Sequence, residues 1–204
     1  EKALNFKPKL ITLAALIIGL FLFGLGEALL VTSQMGVSPW TALAQGLSNV
    51  TGSGLGLATF IISVFVLLLW IPLKQKPGIG TILNAIIISL TLHYAIPFMP
   101  IFEQNILRIS QAILGVFITG LGGGIYLIAN LGPGARDGLM TGVQRITNFP
   151  IAWVRGSIEI MVLTVGWLLG GVIGLGTIIF ALGIGPCLAI SLTIFGSSKS
   201  KSNH

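Results

Sequence analysis

The stretch "NLGPGARDGLMTG" (Asn130–Gly142) sets four glycines, a proline and an adjacent arginine–aspartate pair between two long apolar runs. A second stretch, "QMGVSPWTALAQG" (Gln34–Gly46), has the same outline. Gly36 precedes Gly132 by 96 residues, and Gly46 precedes Gly142 by the same number, since 132 − 36 and 142 − 46 both equal 96. A polar cluster that recurs at constant spacing in an apolar chain predicts two copies of one structural unit.

The composition indicates a membrane protein. The 204 residues are 54% hydrophobic and 8% charged, whereas soluble domains carry about 25% charged residues. The net charge of +6 does not predict nucleic-acid binding, because the basic residues lie in short segments between apolar runs rather than on one face. One cysteine and two histidines give no metal-binding pattern, so we expect no metal and no cofactor.

Six apolar runs are long enough to cross a bilayer core of about 30 Å as helices. They are Leu10–Val31, Leu55–Leu73, Thr81–Pro97, Ile109–Ala129, Ile151–Gly170 and Leu175–Phe195. Helices are expected because unpaired backbone groups are too costly in lipid. The sequence therefore predicts an all-α polytopic membrane protein whose 204 residues form a single transmembrane domain.

The basic residues predict the orientation of these spans. With six spans, nearly all lysines and arginines fall on one side of the membrane, which the positive-inside rule assigns to the cytoplasm. Both termini are then expected to be cytoplasmic.

The spacing of 96 extends over most of the chain and predicts two inverted repeats. The repeats cover approximately residues 10–97 and 106–195, with three spans in each. An odd number of spans makes the second copy enter the membrane from the opposite side. Many secondary transporters have this plan, with the substrate site where the repeats meet. Each repeat also has a short helical run after its first span, which is either re-entrant or interfacial.

The starts of these short runs are the predicted binding site. Free N–H groups at a helix start attract anions, and an arginine can hold a carboxylate or phosphate with its forked donors. The expected substrate-binding residues are Ser38, Trp40, Thr41, Gly134, Arg136 and Asp137. Three structural alternatives stay open for Arg136: it is neutralised by Asp137, neutralised by Glu159, or placed in the cytoplasmic headgroup region.

Four further titratable residues lie within predicted spans. Glu159 follows Arg155 by four residues, so the two share a helix face and can pair. A charge near the bilayer centre normally faces the protein interior or a water-filled cavity. Glu159 is therefore interpreted as a proton- or cation-coupling acid, as a residue that lines the substrate path, or as part of an internal brace with Arg155. Glu27 is expected to lie closer to water. His93 stands on a helix with a polar side and is either a proton relay or a satisfied interior histidine.

Glycines spaced by four, such as Gly120 and Gly124 or Gly166 and Gly170, allow close helix approach. They predict packing within one subunit or a homodimer. Ser157 and His93 are the only weak candidates for an intramembrane catalytic pair, and no enzyme motif is present, so the protein is not expected to be an enzyme.

Several segments resemble a family of bacterial integral membrane proteins. "LGPGARDGLMTG", "VRGSIEIMVLTVGWLLGG", "GLGTIIFALGIGP" and "MGVSPWTAL" are similar to the YczE/YyaS/YitT-type proteins, over nearly the whole chain. The resemblance implies a multi-span protein of the bacterial plasma membrane. It implies no function, because the family is largely uncharacterised. Thr41 stands where the first-half motif of the family is expected to carry an acid.

The leading functional hypothesis is a transporter or channel for a small polar or anionic solute, bound where the repeats meet. The first alternative is a non-transporting membrane partner that regulates another complex. The second is an intramembrane enzyme. The expected partners are the lipid bilayer, the solute and, through glycine-rich helix faces, a second copy of the chain.

Overall fold

The computed structural model describes residues 7–201, with the side chains of residues 7–195. Within that part the chain forms eight α-helices and a 3-10 turn at Ile96–Phe98, with no strand. The helices are α1 Leu10–Ser33, α2 Pro39–Thr51, α3 Leu55–Leu69, α4 Ile79–Ala95, α5 Asn105–Ala129, α6 Ala135–Thr147, α7 Ile151–Leu168 and α8 Leu175–Lys201. The all-helical class expected from the sequence is confirmed.

Five of the described helices, α1, α4, α5, α7 and α8, are long and apolar enough to cross a membrane. The helix α3 reaches that length only together with α2, from which it is bent by 113°. The predicted span to Leu73 was therefore too long, because α3 ends at Leu69. Pro72 explains the early end, since proline disfavours helical geometry in the residue before it. The described residues thus contain five candidate membrane spans, or six if the bent pair of α2 and α3 counts as one span.

Local sequence signals set the starts of the two short helices. Pro39 opens α2, and the side chain of Ser38 accepts a hydrogen bond from the amide of Thr41, as an N-cap residue does. The loops that lead into α2 and α6 turn at Gly36 and Gly132, with φ of 112° and 120°. Residues with a side chain rarely adopt such angles, so glycine is required at both turns.

The second set of helices follows the first at a constant distance. The helices α6, α7 and α8 begin 96 residues after α2, α3 and α4, since 135 − 39, 151 − 55 and 175 − 79 all equal 96. The spacing of 96 in the glycine pattern is therefore also the spacing of the helix starts.

The core of the molecule is the crossing of α1 and α5. A Cβ built on Gly19 would lie 2.7 Å from the amide nitrogen of Tyr126, and one built on Gly115 would lie 2.8 Å from the carbonyl oxygen of Gly26. The helix α4 packs against α1, and α8 packs against α5. The short helix α2 packs on α7, and α6 packs on α3 and α7. These contacts hold the starts of α2 and α6 beside the crossing.

The glycine-rich helix faces predicted from the sequence pack against other helices of the same chain. Gly120 and Gly124 pack against Cys187 and Ser191 of α8. Gly166 packs against Leu43 of α2. The outward surface instead carries many large apolar side chains, including those of α7 and α8, and such a surface suits contact with lipid.

Candidate functional site

A cavity of about 320 Å³ lies beside the α1–α5 crossing, where the starts of α2 and α6 meet. Its apolar walls include Phe23 of α1, Ile88 of α4 and Ile184 of α8. Its polar lining residues are Ser38, Trp40, Asn84, Tyr126, Arg136, Asp137, Arg155 and Glu159. The cavity is thus an apolar chamber with a small set of convergent polar groups, which is the usual composition of a small-molecule site.

Arg136 is the charged group of this cavity that has no hydrogen-bond partner among the described residues, and the buried Nε1 atom of Trp40 lacks one as well. Its guanidinium carbon lies 5.4 Å from the ring centre of Trp40, within the range of a cation–π contact. No hydrogen bond or salt bridge to this guanidinium occurs among residues 7–195. A guanidinium carries five N–H donors. The side chain therefore presents an unpaired, charged set of donors to the cavity.

The two acids expected to neutralise Arg136 are bonded elsewhere. The Oδ2 atom of Asp137 accepts a hydrogen bond of 2.9 Å from the hydroxyl of Tyr126. The Oε1 atom of Glu159 lies 3.0 Å from Nε of Arg155, as the spacing of four predicted. Both acids lie close enough to attract the charge of Arg136, but neither forms a salt bridge with it.

Glu27 is the most deeply buried acid among the described residues. Its side chain is 1% exposed, and its Oε2 atom accepts hydrogen bonds from the hydroxyls of Ser38 at 2.9 Å and Thr41 at 2.6 Å. Its Oε1 atom is buried and has no hydrogen-bond partner in the described part of the chain. Glu27 thus joins α1 to the first turn of α2, directly behind the cavity wall.

The two span acids differ in burial. Glu27, expected closer to water, is sealed inside the protein, and Glu159, expected near the centre of its span, lines the cavity with a side chain that is 34% exposed. Hydropathy along the chain gives the height of a residue on its helix. It does not give the direction in which the side chain points, and this direction decides burial.

The cavity brings together most of the sequence-predicted site residues. Those on its wall are Ser38, Trp40, Gly134, Arg136, Asp137, Arg155 and Glu159. Thr41 and Glu27 lie behind Ser38, through the hydrogen bonds described above. His93 is exposed, stacks edge-on against Tyr94 at 4.9 Å and does not line the cavity.

Sequence reasoning missed Tyr126, the partner of Asp137. A signal for it exists in the repeat, because Tyr126 stands where the first half has Leu30, 96 residues earlier. A hydroxyl that replaces an apolar side chain at an equivalent position marks a site where the two halves differ. Asn84 is a similar case, since its equivalent is Phe180.

Helices of this length and apolarity around a central polar cavity define the chain as a helical membrane protein. The chain belongs to DUF6198, a family of unknown function whose model matches residues 10–193.

Three relatives support this membership. An uncharacterized protein of Haemophilus influenzae is 40% identical over 183 residues, which are 90% of this chain and 84% of the relative. The uncharacterized membrane protein YczE of Bacillus subtilis is 32% identical, over 85% of this chain and 82% of its own. YyaS of the same organism is 29% identical, over 79% and 83%. The resemblance to YczE- and YyaS-type proteins is thereby confirmed. No solved structure matches the chain significantly.

Proposed function

We propose that this protein transports or conducts a small polar or anionic solute, which binds in the central cavity with Arg136 as its principal contact. The observation that carries the proposal is the unpaired guanidinium of Arg136 on the cavity wall. Arg136 is partly buried, and withdrawing a charge from water without giving it a partner costs free energy that a bound anion would offset. A bound carboxylate or phosphate would supply the missing partner through two parallel hydrogen bonds.

Reciprocal contacts between the halves support an inverted-repeat arrangement. The amide of Gly80 donates to the carbonyl oxygen of Leu131 at 2.8 Å, and the amide of Gly176 donates to that of Met35 at 2.6 Å. Each bond is the repeat equivalent of the other, since 80 + 96 = 176 and 131 − 96 = 35. Reciprocal contacts of this kind are expected when a two-fold axis relates the two halves.

With three spans in each repeat, this axis lies in the membrane plane, and the two termini share the cytoplasmic side. The repeats then present the starts of α2 and α6 to one cavity from opposite sides of the membrane. A helix start carries a partial positive charge, so both short helices add to the attraction for an anion. Alternate opening of the cavity towards either side would move the bound solute across. Glu27, sealed behind Ser38, and Glu159, open to the cavity, are the two acids available for coupling.

An open central cavity with charged groups on its wall favours transport over the non-transporting partner, for which a dry, packed centre would be expected. The enzyme alternative has less support. Ser157 lies in an outer groove with Phe149 and Trp153, while His93 packs against Tyr94.

A ligand screen tests the proposal on the purified full chain. Melting temperatures are measured with inorganic phosphate, acetate, glycine and chloride for the wild type, Arg136→Ala and Arg145→Ala. A ligand at 100 times its Kd stabilises the folded state by about 2.7 kcal/mol, which raises the melting temperature by several degrees. We expect at least one anion to stabilise the wild type and to lose its effect in Arg136→Ala. The stabilising anion should also enter liposomes that contain the wild type.

Arg145→Ala is the matched control. Arg145 lies on the same helix, outside the cavity, and its Nη2 atom bonds the carbonyl oxygen of Leu73. This variant should melt earlier and keep the ligand-dependent shift. The proposal fails when no anion stabilises the wild type, or when both arginine variants lose the shift equally.

A further inference from the structure

The central cavity continues sideways into a cleft between α7 and α8. This cleft has a volume of about 220 Å³ and shares Arg155, Glu159 and Ile184 with the central cavity. Ala181 and Gly185 complete its wall on α8. A Cβ built on Gly185 would meet no atom within 4 Å, so open space faces this part of α8. The cavity is therefore connected to the side of the molecule that carries exposed apolar residues.

The corresponding place in the first half is closed. There α3 packs against α4, and a Cβ on Gly56 would lie 2.6 Å from the carbonyl oxygen of Ser89. The equivalent of Gly56 in α7 is Ala152, since 56 + 96 = 152. An alanine at this position would prevent the same close approach. In the described part of the chain, α7 and α8 form no packed pair.

The charges at the cleft also belong to the second half alone. Arg155 and Glu159 stand where α3 carries Thr59 and Ser63, 96 residues earlier. Thr59 and Ser63 bond to carbonyl oxygens of their own helix. The second half thus combines a lateral opening with ionic groups, and the first half has neither.

We propose that the solute is an amphiphilic anion that reaches the cavity from the bilayer through the cleft between α7 and α8. This inference rests on the proposed function and specifies its substrate class. The anionic group binds Arg136, the one cavity charge whose donors have no partner among the described residues. The apolar chain lies in the cleft against Phe180, Ile184 and Leu188, which line both the cleft and the cavity.

The cavity charges favour an anion over a cation. Asp137 is bonded to Tyr126, Glu159 to Arg155, and the Oε2 atom of Glu27 to Ser38 and Thr41, so each of these acids already has a partner, while Arg136 has none. The apolar walls favour a chain over a fully polar solute, because burial of each methylene contributes about 0.8 kcal/mol.

The test compares inorganic phosphate with butyl and octyl phosphate on the purified full chain. Affinity is measured by thermal shift for the wild type, Gly185→Trp, Ala181→Phe and Leu182→Trp. In the wild type, affinity should rise by about fourfold for each methylene that enters the cleft. The two variants that fill the cleft should still bind phosphate but lose the gain from chain length. Leu182 is 74% exposed on the same helix and lines neither space, so Leu182→Trp should behave as the wild type.

Each of the following outcomes would contradict a defined part of the proposal. If phosphate binds and chain length has no effect, the solute is a small anion and the cleft proposal fails while the proposed function stands. If the gain from chain length is equal in wild type and both filled variants, the chains bind elsewhere and the cleft proposal fails. If light scattering shows that Gly185→Trp converts a dimer to a monomer, the cleft is a subunit interface. If none of the three phosphates binds, the amphiphilic anion is excluded. The panel of other anions then decides the proposed function separately.

Discussion

At the scale of single residues, the site shows how two equivalent positions have diverged. Trp40 and Arg136 are 96 residues apart, and their side chains meet at 5.4 Å. In the proposed two-fold arrangement, two residues that are each other's equivalents and also touch must lie near the axis that relates the halves. Arg136, the proposed ligand contact, is therefore expected near the midpoint of the molecule. Their neighbours differ in the same way, since Thr41 bonds Glu27 and its equivalent Asp137 bonds Tyr126.

Replacing Glu27 with alanine should destabilise the protein, whereas glutamine should be tolerated. Alanine removes the acceptor of two buried hydroxyls, those of Ser38 and Thr41, and each unsatisfied group costs about 1–3 kcal/mol. Glutamine keeps a carbonyl oxygen that can accept both bonds. Thermal unfolding of Glu27→Ala, Glu27→Gln and the exposed control Glu103→Ala measures the difference. An alanine variant as stable as the control would contradict the structural role of Glu27.

At the scale of helices, the α1–α5 crossing determines whether the site exists. The close approach of these two helices positions Phe23 and Gly123, which form the back of the cavity. Four glycines lie at the crossing, Gly19 and Gly26 on α1 and Gly115 and Gly122 on α5. The two pairs are equivalent, since 19 + 96 = 115 and 26 + 96 = 122. Glycines are expected where membrane helices pack closely, which agrees with their place at this crossing.

Alanine at either of two equivalent glycines should weaken the crossing to a similar degree. A Cβ on Gly26 would lie 2.5 Å from the carbonyl oxygen of Gly115, and one on Gly122 would lie 2.5 Å from that of Gly19. Backbone atoms cannot move aside cheaply, so we expect a loss of about 1–3 kcal/mol for each variant. Gly156→Ala is the control, since its Cβ would meet no atom within 4 Å. The melting temperatures of the three variants measure this loss of stability relative to the control. Equal stability of all three would mean that the helices are not in contact at these glycines.

At the scale of the whole molecule, hydropathy and spacing predicted more of the fold than of the site. The apolar runs located the long helices, and the glycine spacing matched the helix starts of both halves. The early end of α3 was missed because Pro72 follows an unbroken apolar run. The burial of Glu27 and the role of Tyr126 depend on the rotation of helices about their axes. Nearly uniform apolar helices carry little sequence information about that rotation.

The proposed inverted arrangement predicts that equivalent residues lie on opposite sides of the membrane. Thr51 and Thr147 are exposed equivalents at the ends of α2 and α6, since 51 + 96 = 147. In a chain with Cys187→Ala, a membrane-impermeant maleimide should label Thr51→Cys on intact cells. It should label Thr147→Cys only after the cells are permeabilised. Labelling of both cysteines from the same side would exclude the inverted arrangement.

The backbone bond between Met35 and Gly176 has a consequence for synthesis of the chain. The acceptor leaves the ribosome 141 residues before its donor, since 176 − 35 = 141. At about 5–20 residues per second, the interval is roughly 7–28 s. During that time the loop before α2 lacks the hydrogen bond from Gly176 that later fixes it. The start of α2 can therefore take its final place only after Gly176, at the start of α8, has been synthesised, so the central cavity is completed after seven of the described helices have already been made.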